Sequence, residues 1–163
     1  MLKYADYDIV FQEIPDEVTL AINLSGCPYR CKGCHSPQLQ ENIGEELNEA
    51  ALSRLLQRYG KTITCLCFMG GDADPEEVCR LAAFLRKHEK GTIKTAWYSG
   101  NSNMYPEAVN CFDFVKIGPY IEALGGLNRK NTNQRLYRID QGTLTDITSR
   151  LQHRDGSRER TGF

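Results

Sequence analysis

Residues 18–34 read VTLAINLSGCPYRCKGC and join an apolar run to a cysteine-containing turn. The run at residues 18–24 is rich in aliphatic and β-branched side chains, which predicts a buried strand that stops at the following Ser-Gly pair. Three cysteines come next with the spacing C-x3-C-x2-C, and they are Cys27, Cys31 and Cys34. The stretch therefore predicts a cysteine-based site that is held by the end of a strand.

The cysteine spacing suits an iron–sulfur cluster with one open iron. Such clusters are held by Cys thiolates, normally four of them. A set of three thiolates binds three irons of a cubane and leaves the fourth iron for a small molecule. The loop therefore predicts a [4Fe-4S] cluster whose open iron is the reactive position.

A structural zinc site is the alternative for the same loop, with His35 as the fourth ligand. Structural zinc usually takes its ligands from two separated pairs, whereas these four candidates fall within nine residues. Cys34 and His35 are also adjacent, which makes it awkward to close one tetrahedron. The spacing favours the iron–sulfur cluster, while zinc and inert thiols stay open as alternatives.

Length and composition indicate a single globular domain. The chain has 163 residues, a hydrophobic content of 40% and a formal net charge of −1. This length predicts one domain, assigned to residues 1–150, because domains commonly span about 100 to 200 residues. Residues 151–163 are polar and charged without periodicity, so we expect a flexible C-terminal tail.

Charge and hydropathy also limit which binding partners and which cellular compartment we expect. The near-neutral charge gives no reason to expect nucleic acid or an anionic membrane as a partner. The first residues carry acids and no apolar signal segment, and no apolar stretch reaches the length of a membrane span. We therefore expect a cytoplasmic protein.

The remaining cysteines are expected to be structural. Seven cysteines, an odd number, without an export signal argue against a disulfide framework. Buried free cysteine behaves as a small hydrophobe, so core packing is favoured and a second redox site is the alternative. The four cysteines outside the loop are Cys65, Cys67, Cys79 and Cys111.

Strand-like and helix-like segments alternate along the chain. The predicted strands are residues 18–24, 62–69, 92–98 and 113–117, and the predicted helices are residues 45–59, 75–88 and 105–111. The second helix is expected to have Asp74 as its N-cap and Pro75 at its first helical position. Such alternation implies parallel pairing through right-handed crossovers. We therefore predict an α/β fold with a mostly parallel sheet.

A glycine-containing turn follows each predicted strand. In parallel α/β folds, ligands bind at the carboxyl ends of the strands, so we expect these turns to meet the cysteine loop at one site. For each turn alone, an ordinary glycine turn with positive φ is an equally good interpretation. The turns are Ser25-Gly26, Gly70-Gly71-Asp72, Ser99-Gly100 and Gly118-Pro119-Tyr120.

These motifs, in this order, resemble the anaerobic ribonucleotide reductase activating proteins, which are radical S-adenosylmethionine (radical-SAM) enzymes. The resemblance spans roughly residues 8–140. It implies an incomplete radical-SAM β/α barrel with a [4Fe-4S] cluster and S-adenosylmethionine as cofactors. It rests on residues 26–37, Phe68-Met69-Gly70-Gly71-Asp72, Trp97-Tyr98-Ser99-Gly100, Gly118-Pro119-Tyr120-Ile121 and Thr132-Asn133-Gln134-Arg135.

The resemblance also implies an activity and its partners. A family member reductively cleaves S-adenosylmethionine and abstracts hydrogen from a glycine on the large subunit of the anaerobic reductase, which leaves a glycyl radical. It receives its electron from a protein such as flavodoxin or ferredoxin. Two alternatives stay open: a radical-SAM enzyme that acts on a small molecule, of the deazapurine-forming type, and a non-catalytic iron–sulfur or zinc module that binds a partner.

Site roles follow from the resemblance and from the chemistry of each side chain. Cys27, Cys31 and Cys34 would hold the cluster. Gly70 and Gly71 would let the backbone approach the cofactor. Asp72 would place a carboxylate near the cofactor's ammonium group, with capping of the following turn as the alternative.

Two further side chains are candidates for contacts with S-adenosylmethionine. Ser99 would bond to its ribose or carboxylate, and a plain turn serine is the alternative. Tyr29 would support the adenine, because this chain has Lys32 where radical-SAM loops often place an aromatic residue. Residues 133–135 would close the mouth of the site or meet the partner, with an ordinary strand-entry turn as the alternative.

Overall fold

A computed structural model describes residues 1–34 and 36–152. Its strands are β1 (Leu2–Val10), β2 (Thr19–Leu24), β3 (Glu45–Leu47), β4 (Cys65–Met69), β5 (Lys94–Tyr98), β6 (Phe114–Ile117), β7 (Arg135–Asp140) and β8 (Thr143–Asp146). Its α-helices are α1 (Glu49–Tyr59), α2 (Pro75–Glu89) and α3 (Ala108–Cys111), and 3-10 turns occur at Pro37–Gln40 and Thr148–Leu151. The predicted α/β class is confirmed.

The strands form one mixed sheet in the order β3-β1-β2-β4-β5-β6-β7-β8. The central strands β2, β4, β5 and β6 are parallel. Antiparallel strands flank them, with β1 and β3 at one edge and β7 and β8 at the other. The prediction of a mostly parallel sheet is therefore wrong: the helical crossovers specify the centre of the sheet, but the edge strands pair without any helix between them.

The sheet is open within the described residues. Its two outer strands are β3 and β8, and no pairing joins one to the other. No helix in the described part of the chain is long and apolar enough to cross a membrane. Of the predicted tail, residues 153–163 lie outside the described residues.

Local sequence signals explain where the helices begin. The Asp74 side chain accepts a hydrogen bond from the Glu77 amide at 3.4 Å, and Pro75 occupies the first turn of α2, both as predicted. Helix α1 begins later than predicted, because Asn48 caps it through the Ala51 amide at 2.9 Å. Residues 45–47 instead pair with β1 as a strand.

Two cores lie on opposite faces of the sheet. The larger core packs all three helices against apolar side chains of the strands, including Leu66, Phe68 and Trp97. The smaller core contains Cys65 and Cys67, which share one face of β4, together with Ile14 and other residues from loops. Cys79 is buried on the helical side and Cys111 is half-buried there, so core packing is confirmed for Cys65, Cys67 and Cys79.

Candidate functional site

The carboxyl ends of the four parallel strands lie along one edge of the sheet. The register aligns Met69 of β4 with Tyr98 of β5, and Tyr98 with Lys116 of β6. The four glycine-containing turns therefore emerge side by side, as the sequence predicts for parallel strands.

The cysteine loop is closed at its base by two backbone hydrogen bonds. The Gly26 amide donates to the Glu41 carbonyl and the Cys27 amide donates to the Leu39 carbonyl, each at 2.9 Å. These bonds bring Leu39 and Glu41 back to the strand end. Cys27 is thereby fixed directly beyond β2.

The three candidate ligands are free, half-buried thiols. The Cys34 amide donates to the Cys31 carbonyl at 3.2 Å, and the Cys34 sulfur accepts from the Ser36 amide at 3.4 Å. The Cys27 thiol donates to the Tyr29 carbonyl at 3.6 Å. Cys34 is thus placed by local backbone contacts and already receives an N–H bond at sulfur.

Electrostatics link Cys27 to the other two cysteines. Burial raises the pKa of the Cys27 thiol, and the negative charges of Asp72, Cys31 and Cys34 raise it further. Within the described residues, however, no three Cys, His, Asp or Glu side chains are gathered closely enough to hold a metal ion. His35, the fourth ligand of the zinc alternative, lies outside the described residues.

The donor set fits an iron–sulfur cluster, because each thiolate would bind a different iron and the three sulfurs need not converge on a single ion. Three free thiols on one glycine-containing loop supply the ligands, and N–H bonds to the sulfurs are among the features that tune such clusters. Binding of iron requires the thiolate form of Cys27. The positive charge of an iron core would stabilise that thiolate against the raised pKa of the thiol.

Packing requires glycine in the turn after β4. Gly71 has φ +89, and a Cβ there would lie 2.6 Å from Val78 Cγ2 and 2.8 Å from Leu24 Cδ1. The neighbouring Gly70 carbonyl accepts a hydrogen bond from the Trp97 indole at 2.7 Å. The glycine pair therefore has a structural role, and one lone pair of the Gly70 carbonyl is already used.

Asp72 joins the turn after β4 to the turn after β5. Its carboxylate accepts from the Ser99 hydroxyl at 2.5 Å and from the Gly100 amide at 2.9 Å. Both bonds cross to the neighbouring loop, while Asp74 caps the helix that follows. Ser99 is buried, and its hydroxyl also accepts from the Asn101 amide at 3.1 Å.

Tyr29 brings the cysteine loop onto the same turn. A Cβ on Gly100 would lie 2.9 Å from the Tyr29 ring, so the ring occupies space that only glycine leaves open. Burial is the main cause of the raised pKa of the Tyr29 hydroxyl, and the negative charge of Asp72 raises this pKa further. Tyr29 thus connects the candidate cluster ligands with the candidate cofactor residues.

Lys116 belongs to this edge, although the sequence analysis assigned it no role. It is buried, and its ammonium donates to the carbonyls of Ser99 at 3.1 Å and Gly118 at 2.9 Å. The available signal was a lysine inside a predicted buried strand, because lysine is almost never fully buried unless it is paired.

Residues 132–135 brace the turn after β6. The Asn133 side-chain amide donates to the Pro119 carbonyl at 2.9 Å, and Gln134 donates to the Gly118 carbonyl at 3.4 Å. Strand β7 begins at Arg135. The strand-entry interpretation therefore describes this segment, which also supports the edge of the site.

The contacts form one chain across the four turns. It runs in the order Tyr29, Gly100, Asp72, Ser99, Lys116 and Gly118. The predicted convergence of the turns is thus confirmed in geometry. The binding of cofactors by these residues stays a prediction.

The sequence of this chain matches a known protein family. Residues 18–139, which include the three cysteines and all four turns, match the family described as 4Fe-4S single cluster domain. The search of curated proteins and the search of solved structures gave no match. The predicted iron–sulfur character is confirmed at the level of the family, and this chain belongs to the 4Fe-4S single cluster domain family.

Proposed function

We propose that this protein is a radical-SAM activase that generates a glycyl radical on the large subunit of an anaerobic ribonucleotide reductase. The observation that carries the proposal is the contact of the cysteine loop with the Asp72 and Ser99 turns through Tyr29 and Gly100. It puts candidate cluster ligands beside a candidate cofactor site. The family membership supports the cluster, and the order of the motifs supports the finer assignment.

In this proposal, the cysteine loop supplies the cluster ligands. Cys27, Cys31 and Cys34 bind three irons, and the Ser36 amide supports the Cys34 sulfur. When bound, the cluster supplies the electron for reductive cleavage of S-adenosylmethionine. The residues around the loop bind and orient that cofactor.

Asp72 binds the positively charged ammonium of the cofactor. A carboxylate offers about four lone-pair positions, and the bonds from Ser99 and Gly100 occupy two of them. These two donors fix the orientation of the carboxylate and leave acceptor capacity for a cation. Gly71, which packing requires at this turn, and Gly70 form the backbone that leads into Asp72.

The open sheet supports a protein substrate. A (β/α)8 barrel closes eight parallel strands and commonly needs about 250 residues. The eight strands of the described residues form a mixed sheet that does not close. An open site does not by itself shield a carbon radical from solvent. A large partner that covers the opening and inserts a glycine-bearing loop meets that need.

Apolar side chains near the cysteine loop are suited to such a partner. A Cβ on Gly33 would lie 2.6 Å from Glu122 Oε2, so the loop after β6 lies against the cysteine loop. Exposed beside Glu122 are Ile121 and Leu124, at 41% and 37% of their surface. This part of the surface combines apolar contact area with proximity to the site.

The proposal is tested with the reconstituted protein, a reductant, S-adenosylmethionine and the large subunit of an anaerobic ribonucleotide reductase. We expect 5′-deoxyadenosine and a glycyl doublet in the electron paramagnetic resonance (EPR) spectrum of the reductase. The Cys34→Ala variant is the matched negative control. No doublet with intact cluster and cofactor, together with fast turnover of a small molecule, would favour the small-molecule enzyme instead.

A further inference from the structure

Lys116 stands out in the row of side chains just below the turns. The register places Met69, Tyr98, Lys116 and Leu136 next to one another across β4 to β7. Lys116 is the charged member of that row and is only 8% exposed. It lies on the face of the sheet opposite the three helices, together with Tyr98 and Phe114.

The position of the ammonium is fixed by two backbone carbonyls. Ser99 follows β5 and Gly118 follows β6, and the Lys116 Nζ donates to both of them, at 3.1 and 2.9 Å. Its nitrogen also lies 5.9 Å from the centre of the Tyr98 ring. The charge is therefore held at the base of the turns and does not extend into solvent.

The groups that act on this charge belong to the candidate site. Burial lowers the pKa of Lys116 to about 8, and the charge of Asp72, then those of Cys31, Cys67 and Cys27, oppose that change. A pKa near 8 keeps the amine mostly protonated at neutral pH. The thiolates of a bound cluster add negative charge and further favour the ammonium.

Burying a lysine on neutral carbonyls is costly, because the ammonium loses its hydration. A methionine of similar length would fill the same volume without that cost. The cost is offset if the charge acts on a neighbour that becomes negative. An iron–sulfur cluster that gains an electron is such a neighbour.

We propose that Lys116 raises the reduction potential of the cluster by stabilising its reduced state from the base of the turns after β5 and β6. One electron passes from an external low-potential reductant to the cluster, and no covalent bond of Lys116 forms or breaks. Net charge near a cluster is one of the factors that set its potential. The inference rests on the cluster ligands of the proposed function but not on its cofactor or its protein partner.

The test compares the midpoint potentials of three reconstituted variants with that of the natural sequence. Lys116→Met removes the charge and the donors, whereas Lys116→Gln removes the charge and keeps donor groups. Lys94→Met is the matched control. Lys94 lies at the amino end of β5, at the end of the parallel strands opposite to the candidate site, and its side chain is 51% exposed. The potentials are read by EPR during redox titration with a chemical mediator and without S-adenosylmethionine.

Both Lys116 variants should be harder to reduce. At a fixed potential we expect the ratio of reduced to oxidised cluster to fall about tenfold, the scale for removing one unit charge near a protein site. Tenfold corresponds to about 59 mV for a one-electron couple. Lys94→Met should leave the potential unchanged.

Several results would overturn the inference. They are an unchanged potential in both Lys116 variants, a shift in Lys116→Met alone, or an equal shift in Lys94→Met. Loss of the cluster from both Lys116 variants, with normal folding of the apoprotein, would assign Lys116 to cluster assembly instead. Failure of the natural sequence itself to take up a cluster would contradict the proposed function, which separates the two ideas.

Discussion

Charged side chains have different kinds of partner at the two ends of the parallel strands. At the amino ends, opposite charges pair directly: Lys94 bonds to Glu17 at 2.9 Å, and Arg86 bonds to Asp113 at 2.9 Å. At the carboxyl ends, Asp72 is held by a hydroxyl and an amide, and Lys116 is held by carbonyls. An acid and a base are thus each fixed by neutral partners.

This difference predicts which end of the strands serves stability and which end binds a ligand. The opposite charges at the amino ends already balance each other. A fixed carboxylate and a buried ammonium that are not paired keep their fields available for a bound group, which is typical of functional sites.

The largest effect is expected from the loss of one cysteine ligand. Cys34→Ala should abolish both cluster binding and cleavage of S-adenosylmethionine, because each thiolate holds one iron. Cys65→Ala, in the core at the amino end, should keep the cluster and lower the free energy of unfolding by about 1 to 2 kcal/mol. Iron analysis, visible absorbance and urea denaturation measure these outcomes.

The opposite pattern would refute the ligand assignment. It would consist of full iron and full cleavage activity in Cys34→Ala, with loss of both in Cys65→Ala.

The next prediction concerns the loss of stability when a glycine is replaced, and it distinguishes a steric clash from backbone strain alone. Gly71→Ala should lower the free energy of unfolding by about 3 kcal/mol, since its Cβ would collide with Val78 and Leu24 at a positive φ. Gly91→Ala has a similar φ of +78 with nothing within 4 Å, so it should lose only about 1 kcal/mol. Equal losses in urea denaturation would show that the turn after β4 is less tightly packed than described.

The sequence predicted the parts of the fold that depend on local signals. Helix α2 was predicted from its Asp74 cap and Pro75, and the central strands were predicted from their apolar runs. Strand β1 was missed because LKYADYDIV mixes acids with apolar residues and reads as surface. Its pairing is decided by backbone bonds to β2 and β3, which side-chain periodicity does not report.

The candidate site was predicted in position but not in its internal contacts. Parallel strands must bring their following turns to one edge, so the convergence of the turns follows from the topology. The bonds from Ser99 and Gly100 to Asp72 depend on loop conformations that no periodicity specifies. The role of Lys116 depends on the register of β5 and β6, which places it beneath those turns.

Matched substitutions of Asp72 and Asp113 compare the carboxyl and amino ends of the parallel strands directly. Asp72→Asn should weaken binding of S-adenosylmethionine by about 1.5 to 3 kcal/mol, the usual scale for a hydrogen bond to a charged group. Asp113→Asn should reduce stability without changing that affinity, because its carboxylate bonds to Arg86 and to the Thr95 amide. Isothermal calorimetry with the reconstituted protein measures the affinity. Equal affinities in both variants would leave Asp72 with a structural role only.

The pH dependence of stability offers a smaller test on the apoprotein. Burial lowers the pKa of Lys116 to about 8, below the value of about 10.4 for an unfolded chain. Between these values the unfolded chain binds the extra proton at Lys116, so the contribution of this residue to stability should rise with pH by up to about 1.4 kcal/mol per unit. Buried thiols and Tyr98 have raised pKa values and act in the opposite direction in both proteins. The natural sequence should therefore gain stability relative to Lys116→Met as pH rises through this range. Identical profiles for the two proteins, measured by urea denaturation, would show that Lys116 does not titrate in this range.

The smallest effect is expected at the amino end. Lys94→Met should lower the free energy of unfolding by about 1 kcal/mol, the upper end for exposed ion pairs, because the Lys94 side chain is 51% exposed but that of Glu17 is only 9% exposed. The difference should shrink in high salt, which screens exposed charges. A loss well above 1 kcal/mol that salt does not reduce would remove the contrast between the two ends.

The central claim, that the cysteine loop holds a cluster with an open iron beside the Asp72 turn, is tested most directly by EPR. The protein is reconstituted and reduced without oxygen, and its spectrum is recorded before and after addition of S-adenosylmethionine. We expect a [4Fe-4S] signal that changes on addition of the cofactor, with Asp72→Asn needing more cofactor for the same change. A [4Fe-4S] signal that saturating cofactor leaves unchanged, or a protein that takes up zinc and no iron, would contradict the account.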